Sequence, residues 1–582
     1  MEQEARPFSN DECQGNDRPN PRRFDWLEPV VLGLLALVLN LAGNDRTGLW
    51  DRDEPRYAVC VREMRSRGDW INPTFNGVPR YHKPVLIYWL TGLSTAIAGD
   101  NPFGVRLVSS LAGAGTVLGV WWLGRRMLGP RGGWLAGLIL ATAPIAVAEA
   151  KLATTDATLT LWLFGCQACL WTLSRRPSIG AATGFWVLLS LAVLTKGPVG
   201  PALILASTAM AWWWGWPVPP RERLHGTWGL VGFLALTAPW YVAVSITSHG
   251  EFLRFAVGKQ ILPRLASDME MHGGFPGYYP IVATLVFFPW SALVPPALLE
   301  GWRQRESNPN LAFLLGWAIG PLLVLECFQT KLIHYYLPAF PALALLVARL
   351  AGALETEGTP LRQRRLGRLG LALLAGIGLA LAAGLMVPLP MVPWGLRWPM
   401  IVIACLLVAG TLTGFFSFHR GRARRAIGSL AVTWALVLWV LCGWLIPLAE
   451  PYRTARIVGE RLAAHSAAMG LEPVLLEYQE PGVIYALGHP VALAHDRDSF
   501  FAHLANGRSV LTVALPSEIQ VMRSHFKLEV TPVDQVEGLV LNRGKPQVLQ
   551  IAVVRQDPSR WSGELPPVPA DGVPMLKQTL VK

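Results

Sequence analysis

A chain of 582 residues that is 52% hydrophobic, only 15% charged and carries 25 tryptophans departs from soluble proteins, in which about a quarter of residues are charged. That deficit excludes an ordinary cytosolic enzyme, while seven cysteines and aperiodic Gly and Pro exclude disulfide-scaffold, collagen-like and wholly disordered chains. A polytopic membrane protein remains, and the net charge of +12, which first suggests nucleic acid, has to be read from its distribution.

Residues 1–27 are polar and proline-bearing, the pattern of a disordered N-terminus. Apolar stretches long enough to cross roughly 30 Å of hydrocarbon then recur near 28–43, 104–124, 132–149, 155–173, 179–194, 198–216 and 227–247. They continue near 278–299, 311–328, 334–353, 369–388, 398–418 and 427–447. These stretches predict about thirteen membrane helices within a domain of 28–448. No A-x-A-like cleavage site follows the first, which therefore reads as an anchor rather than a removed signal peptide.

One further apolar stretch, 84–98, is short. Counting it as a span puts the N-terminal arginines and the later basic clusters on opposite sides; leaving it on the surface puts every cluster on one side. Those clusters are Arg22 and Arg23; Arg125, Arg126 and Arg131; Arg175 and Arg176; Arg221 and Arg223; and Arg303 and Arg305. Arg362, Arg364, Arg365 and Arg368 follow, then Arg420, Arg422, Arg424 and Arg425. The positive-inside rule makes that side cytoplasmic. The charge is then topological, and nucleic acid drops out as a partner.

The same choice leaves 44–103 as a long first extracytoplasmic loop, with helices at 54–67 and 84–98 lying against membrane lipids. The tail, 449–582, falls outside as well. Short β-like segments at 473–476, 509–514 and 550–554 alternate there with helical stretches at 456–468 and 499–505, which predicts a small α/β domain. It holds no cysteine and hence no disulfide framework.

Ionisable groups at membrane depth or at the outer ends of spans are costly and mark function. Only Lys83, Lys151, Lys196, Lys259 and Lys331 precede the tail, and all fall on the outer face, while the cytoplasmic loops use arginine. Snorkelling accounts for any one of them, but it has no reason to select one face. A set of ammonium groups at one interface suits an anion such as a lipid phosphate.

Carboxylates share that face. Asp51, Asp53 and Glu54 follow the first span, and Glu149 and Asp156 lie at the mouth of the bundle. Pro55 after Asp53-Glu54 reads as a helix start, so capping competes with catalysis as the role of that pair. His249, Glu251 and Arg254 follow the seventh span, His272 ends that loop, and Lys331, His334, Tyr335 and Tyr336 lie at the outer end of the tenth. Their convergence predicts an extracytoplasmic site for a phosphorylated, lipid-linked substrate. Cys166 and Cys169 have CxxC spacing inside an apolar helix and read as packing; no Walker loop occurs.

These residues resemble the polyprenyl-phosphate-dependent glycosyltransferases of the GT-C class, in the branch of the lipid A aminoarabinose transferases and their protein O-mannosyltransferase relatives. The resemblance rests on Asp53-Glu54-Pro55-Arg56-Tyr57-Ala58, Arg62-Glu63-Met64, Gly68-Asp69-Trp70 and Lys83-Pro84 with Tyr88-Trp89. It extends through Phe103-Gly104-Val105-Arg106, Thr195-Lys196-Gly197-Pro198, Phe288-Pro289-Trp290 and Lys331-Leu332 with Tyr335 and Leu337-Pro338. It implies an all-α GT-C membrane domain with a C-terminal periplasmic α/β domain, in a bacterial inner membrane with the N-terminus cytoplasmic. The implied reaction is inverting transfer of a sugar from undecaprenyl phosphate to lipid A, another glycan or a protein.

By the same resemblance Asp53, with Glu54 beside it, is the key carboxylate, acting as base or orienting the acceptor, and Asp156 faces it. Arg56, Lys83, Lys196, Arg254 and Lys331 bind the donor phosphate, and Tyr335 lines the pocket. The aminoarabinose transferases pair a Glu before the loop lysine with a His after the seventh span to hold a metal. Here His82 stands at the first position and His249 matches the second, so the expected divalent metal (zinc, magnesium or manganese) falls to two histidines. A polyprenyl-linked sugar transporter or flippase, or an O-antigen ligase or polymerase, stays open beside the transferase. A transporter requires charges near the midplane and repeated halves, whereas here the charges lie at one mouth.

Overall fold

The computed structural model describes residues 26–50, 53–256, 258, 274–354, 361–387, 393–476, 478–540 and 545–556. Nearly all of the expected disordered N-terminus, and Asp51, Lys259 and His272, lie outside the described residues. The first ten helices are α1 (Leu27–Leu41), α2 (Asp53–Arg67), α3 (Leu86–Ala98), α4 (Pro102–Ala141), α5 (Pro144–Lys151), α6 (Asp156–Arg175), α7 (Ile179–Lys196), α8 (Val199–Trp213), α9 (Gly226–Thr247) and α10 (Glu251–Phe255).

Apolar segments become helices because hydrocarbon offers no partner for backbone N–H and C=O groups, so each must be satisfied within its own segment. Among the described residues nine helices are long and apolar enough to cross a membrane: α4, α6, α7, α9, Pro309–Glu326, Ile333–Ala353, Arg368–Met386, Trp394–His419 and Arg425–Tyr452. The sequence predicts about thirteen spans, and the difference lies in breaks rather than in missing helices. α4 joins the expected 104–124 stretch to the first part of 132–149 across a kink at Gly129 (φ 79°) and Pro130, and α5 holds the rest. α1 and α8 form at 15 residues each. The 278–299 stretch is divided into Tyr278–Val286, a 3-10 turn at Trp290–Leu293 and Val294–Gln304, next to Pro289, which has no N–H to continue a helix.

The first loop folds over the mouth of this bundle. α2 buries Tyr57, Cys60, Val61 and Met64 against Val85, Leu86, Ile87 and Tyr88 at the start of α3. Gly92 lets the Trp70 ring, just past the end of α2, lie directly on α3; a Cβ there would meet that ring at 2.6 Å. On its other side α3 exposes Trp89, Leu93 and Ile97, an i, i+4, i+8 stripe suited to lying in a membrane interface. Between the helices a small hairpin, β1 (Thr74–Phe75) and β2 (Val78–Pro79), turns the chain back.

The tail carries a five-stranded mixed sheet of β3 (Glu472–Leu475), β4 (Ala492–Leu493), β5 (Ser509–Ala514), β6 (Glu529–Val540) and β7 (Lys545–Arg555), in the order β4-β3-β5-β7-β6. β4, β3 and β5 run parallel, while β7 pairs antiparallel with β5 and β6. Alternate residues feed two cores: Val474, Val510 and Val554 pack with Phe500 and Met522, whereas Leu475, Leu511 and Ile551 pack with Val458 and Ile484.

This domain rests on the first loop. Val59 of α2 joins the second of those cores. Arg62 donates to the Tyr485 carbonyl at 3.0 Å and lies 4.6 Å over its ring. The Asn76 amide donates to Val491 O at 2.8 Å and accepts from Val491 N–H at 2.7 Å. The Gly48 N–H donates to Glu450 at 3.0 Å. α2 is therefore held from both sides.

Candidate active site

α2 opens with Asp53 and Glu54 followed by Pro55, which fits the first turn because its missing N–H has no partner to lose there. The two neighbouring carboxylates face different surroundings. Glu54 is wholly buried. Arg106 Nε and Nη2 donate to its two oxygens at 2.9 and 2.7 Å, the Ala153 N–H donates at 2.7 Å, and the Trp50 N–H donates as well. Arg106 is itself saturated by the carbonyls of Asn44, Thr47 and Gly48 at 3.3, 3.0 and 2.7 Å. Glu54 is thus a positioning residue that bolts α2 to α4 and to the turn before α6. The catalytic role expected for it is not kept.

Asp53, by contrast, is 48% exposed, with its Oδ1 3.7 Å from Arg56 and 3.8 Å from Arg80. Across the mouth, Asp156 starts α6 and accepts from Lys196 Nζ at 2.6 Å. Lys196 is the last residue of α7, ended by Gly197 at positive φ, and its Nζ stands 4.4 Å over the Tyr335 ring. His334 lies between two buried carboxylates: Nδ1 is 3.6 Å from Glu149 and Nε2 is 3.7 Å from Asp156. The other Glu149 oxygen accepts from Thr154 at 3.0 Å. Lys83 and Asp53 act electrostatically on His334, and Lys83 on Asp156 also. Asp53, Arg56, Lys83, Asp156, Lys196, His334 and Tyr335 therefore converge from five separate segments.

Other expected members lie apart. Lys331 is buried in a pair with Glu326 and donates to Phe275 O at 3.1 Å, so its charge is taken up away from the cluster and its expected phosphate role is not kept. Lys151 donates to Ala42 O at 2.5 Å and to Asn44 Oδ1 at 2.8 Å, satisfying the end of α1. Arg254 is exposed on α10, which packs Phe252 on Tyr81 (5.8 Å) and Phe255 on His82 (4.8 Å); aromatic contacts thus set it beside the Lys83 loop.

His249 is exposed at φ 50°. A catalytic zinc takes three protein ligands and a structural one four, and among the described residues no group of three or more His, Cys, Asp or Glu is arranged to hold a metal ion. His82 and His249 do not make a metal site with the described residues, and no step below passes through one.

Two further groups of the loop are structural. Burial pushes the Cys60 thiol up to about 12, which keeps it from acting as a thiolate. Burial also raises the Asp69 carboxyl, but the Ile71 and Asn72 N–H groups and the Asn72 amide outweigh that and hold it below the usual range, as befits a turn-closing residue. Three site residues went unassigned in the sequence. Arg80 is one of seven arginines in 44–103 and nothing local distinguishes it, whereas His334 is visible as an ionisable residue at a span's outer end. Arg106 had only its place in a motif.

Residues 82–242 match a family model described as dolichyl-phosphate-mannose-protein mannosyltransferase. The chain is similar to the undecaprenyl phosphate-α-4-amino-4-deoxy-L-arabinose arabinosyl transferase of Edwardsiella ictaluri, 33% identical over 64% of this chain and 66% of that one. It is also similar to the Erwinia tasmaniensis protein of that name, 30% identical over 92% of this chain and 91% of the relative. Among solved structures, ArnT from Cupriavidus metallidurans bound to undecaprenyl phosphate superposes with a TM-score of 0.73 at 22% identity, covering 91% of this chain and 98% of that one. The fold is that of ArnT, an all-α membrane domain with a C-terminal sheet domain.

Proposed function

We propose an activity on one premise: the chain belongs to the family of undecaprenyl phosphate-α-4-amino-4-deoxy-L-arabinose arabinosyl transferases, being 30% identical to a member along 91% of that member's length. It is accordingly a multi-pass membrane glycosyltransferase. The reaction we assign is inverting transfer of aminoarabinose from undecaprenyl phosphate to lipid A. It takes place at the periplasmic face of the inner membrane, the side opposite the arginine clusters.

The observation that carries this reading is the cluster at the mouth, where Asp156 holds Lys196 at 2.6 Å under the electrostatic influence of Lys83, and Asp53 lies 3.7 and 3.8 Å from Arg56 and Arg80. Displacement at the anomeric carbon breaks its bond to the phosphate oxygen, and the electron pair leaves on undecaprenyl phosphate. Lys83 and Lys196, with Arg56 and Arg254 beside them, supply positive charge where that negative charge grows. Asp156 fixes Lys196 from one side and the Tyr335 ring supports it from the other. Asp53, half-exposed on α2, orients the acceptor oxygen for attack from the opposite face.

The test is transfer of radiolabelled sugar from a panel of undecaprenyl-phosphate donors, in proteoliposomes containing lipid A, a protein acceptor or neither. Labelled lipid A with the aminoarabinose donor is expected. Label on the protein alone, or movement of intact donor across the bilayer without transfer, overturns the reading.

A further inference from the structure

His334 occupies a position that phosphate binding does not explain. It lies on the turn Ile333–Ala339 with its side chain 26% exposed toward the mouth, while the two carboxylates flanking it, Glu149 and Asp156, are 5% and 6% exposed. Each ring nitrogen points at one of them. A neutral imidazole has one N–H, so it can serve only one of two acceptors; an imidazolium serves both. The distances of 3.6 and 3.7 Å are too long for hydrogen bonds in the structure as it stands, and catalytic contacts that are long in a free enzyme tighten in its transition-state complex.

We propose that His334 is the proton-transfer group of the reaction, taking the proton of the acceptor oxygen while Glu149 and Asp156 hold the resulting imidazolium. The inference rests on the transferase reading above. The acceptor O–H bond breaks and its proton passes to the imidazole. The oxygen's electron pair forms the bond to the anomeric carbon, whose old bond breaks with its pair leaving on the polyprenyl phosphate. His334 then returns the proton to water. Stabilisation is larger once the ring is charged than before, which lowers the barrier rather than merely strengthening binding.

The groups facing His334 are Glu149 from α5, Asp156 from α6, Lys196 from α7, Lys83 from the first loop and Asp53 from α2, with Tyr335 beside it at 5.1 Å. Lys196 bonds to Asp156 Oδ1, while Oδ2, which accepts from Thr155 Oγ1 at 3.4 Å, is the oxygen 3.7 Å from the ring. The inference specifies the acceptor as an oxygen that still carries a proton, whether a hydroxyl or a phosphate monoanion.

The test compares wild type with His334→Gln and Glu149→Gln, full-length in proteoliposomes. It reads transfer rate against pH, undecaprenyl phosphate binding, and the ring-nitrogen NMR signals of His334. His334→Gln is expected to slow transfer by about 10²-fold or more, to leave undecaprenyl phosphate binding unchanged, and to remove the acid limb of the rate profile. Lipid A stripped of its phosphates still accepts sugar if the source is a hydroxyl and fails if it is a phosphate. A variant that keeps the wild-type rate and profile, or loses lipid phosphate binding in step with rate, overturns the proposal. If wild type transfers no sugar to any acceptor, the transferase reading fails, and the NMR signals decide His334 alone. A ring that exchanges its proton between pH 5 and 8 and responds to Glu149→Gln upholds it as a proton-handling group; a ring that does neither refutes it.

Discussion

On one side of the first turn of α2, Glu54 is fully buried, with Arg106 and two backbone N–H groups on its oxygens. On the other, Asp53 is 48% exposed, and its nearest guanidinium nitrogens stay 3.7 and 3.8 Å away. Two adjacent acids of one motif therefore do opposite work. A saturated carboxylate can only hold its neighbours in place, whereas one with open lone pairs can act on a substrate. The lysines differ by place: Lys196, paired with Asp156, stands within the cluster at the mouth beside the Tyr335 ring, while Lys151 and Lys331 spend their donors outside it, on the end of α1 and on Glu326.

The strongest test of that contrast removes the bolt. Glu54→Ala leaves Arg106 buried without its anion, and the protein is expected to lose about 3–5 kcal/mol of stability, read as a large drop in thermal unfolding temperature in detergent. Next, Lys196→Met should weaken undecaprenyl phosphate binding by about 2 kcal/mol or more. Replacing Lys331 by Met together with Glu326→Leu exchanges an ion pair for apolar groups, an often near-neutral change, and leaves that binding as it was. Equal losses in the two cases would erase the distinction between the lysines.

How far the sequence discloses such roles depends on what each role requires. Helices follow from apolar length and periodicity, which is why α2, α3 and the C-terminal sheet domain form where patterning puts them. The kink at Gly129 falls at the boundary expected between 104–124 and 132–149, whereas the break at Pro289 inside 278–299 does not follow, since hydrophobic length is blind to it. Asp53, Lys83, Asp156 and Lys196 stand out by type and side. That Glu54 and Lys331 are structural is decided by Arg106, 52 residues away in the chain, and by Glu326 and Phe275 O, partners that no local pattern announces. His334 gains its significance from Glu149 and Asp156, which belong to a different part of the chain.

Smaller effects sharpen the comparison at the docked sheet domain. Arg62→Ala loses the bond to Tyr485 O and the contact over its ring; about 1.5–3 kcal/mol of docking should be lost, measured as earlier proteolysis of the sheet domain. Asp534 gives the least effect. Burial raises its carboxyl, but His465 at 3.1 Å, the Gln535 N–H and Arg461 at 2.9 Å outweigh burial and hold it below the usual range. A carboxyl lowered on folding stabilises above its unfolded value of about 3.9 and loses that contribution as pH falls below it. The sheet domain should thus weaken on acidification below about pH 4. Asp534→Asn should flatten that dependence and leave sugar transfer unchanged at neutral pH.

The central claim is that the cluster at the mouth moves sugar from a polyprenyl phosphate. The most direct measurement is transfer by Asp53→Asn, made beside its unfolding temperature and its binding of undecaprenyl phosphate. The account predicts loss of transfer with the other two quantities unchanged. An Asp53→Asn protein that transfers sugar at the wild-type rate, or one that fails only because it unfolds, would contradict it.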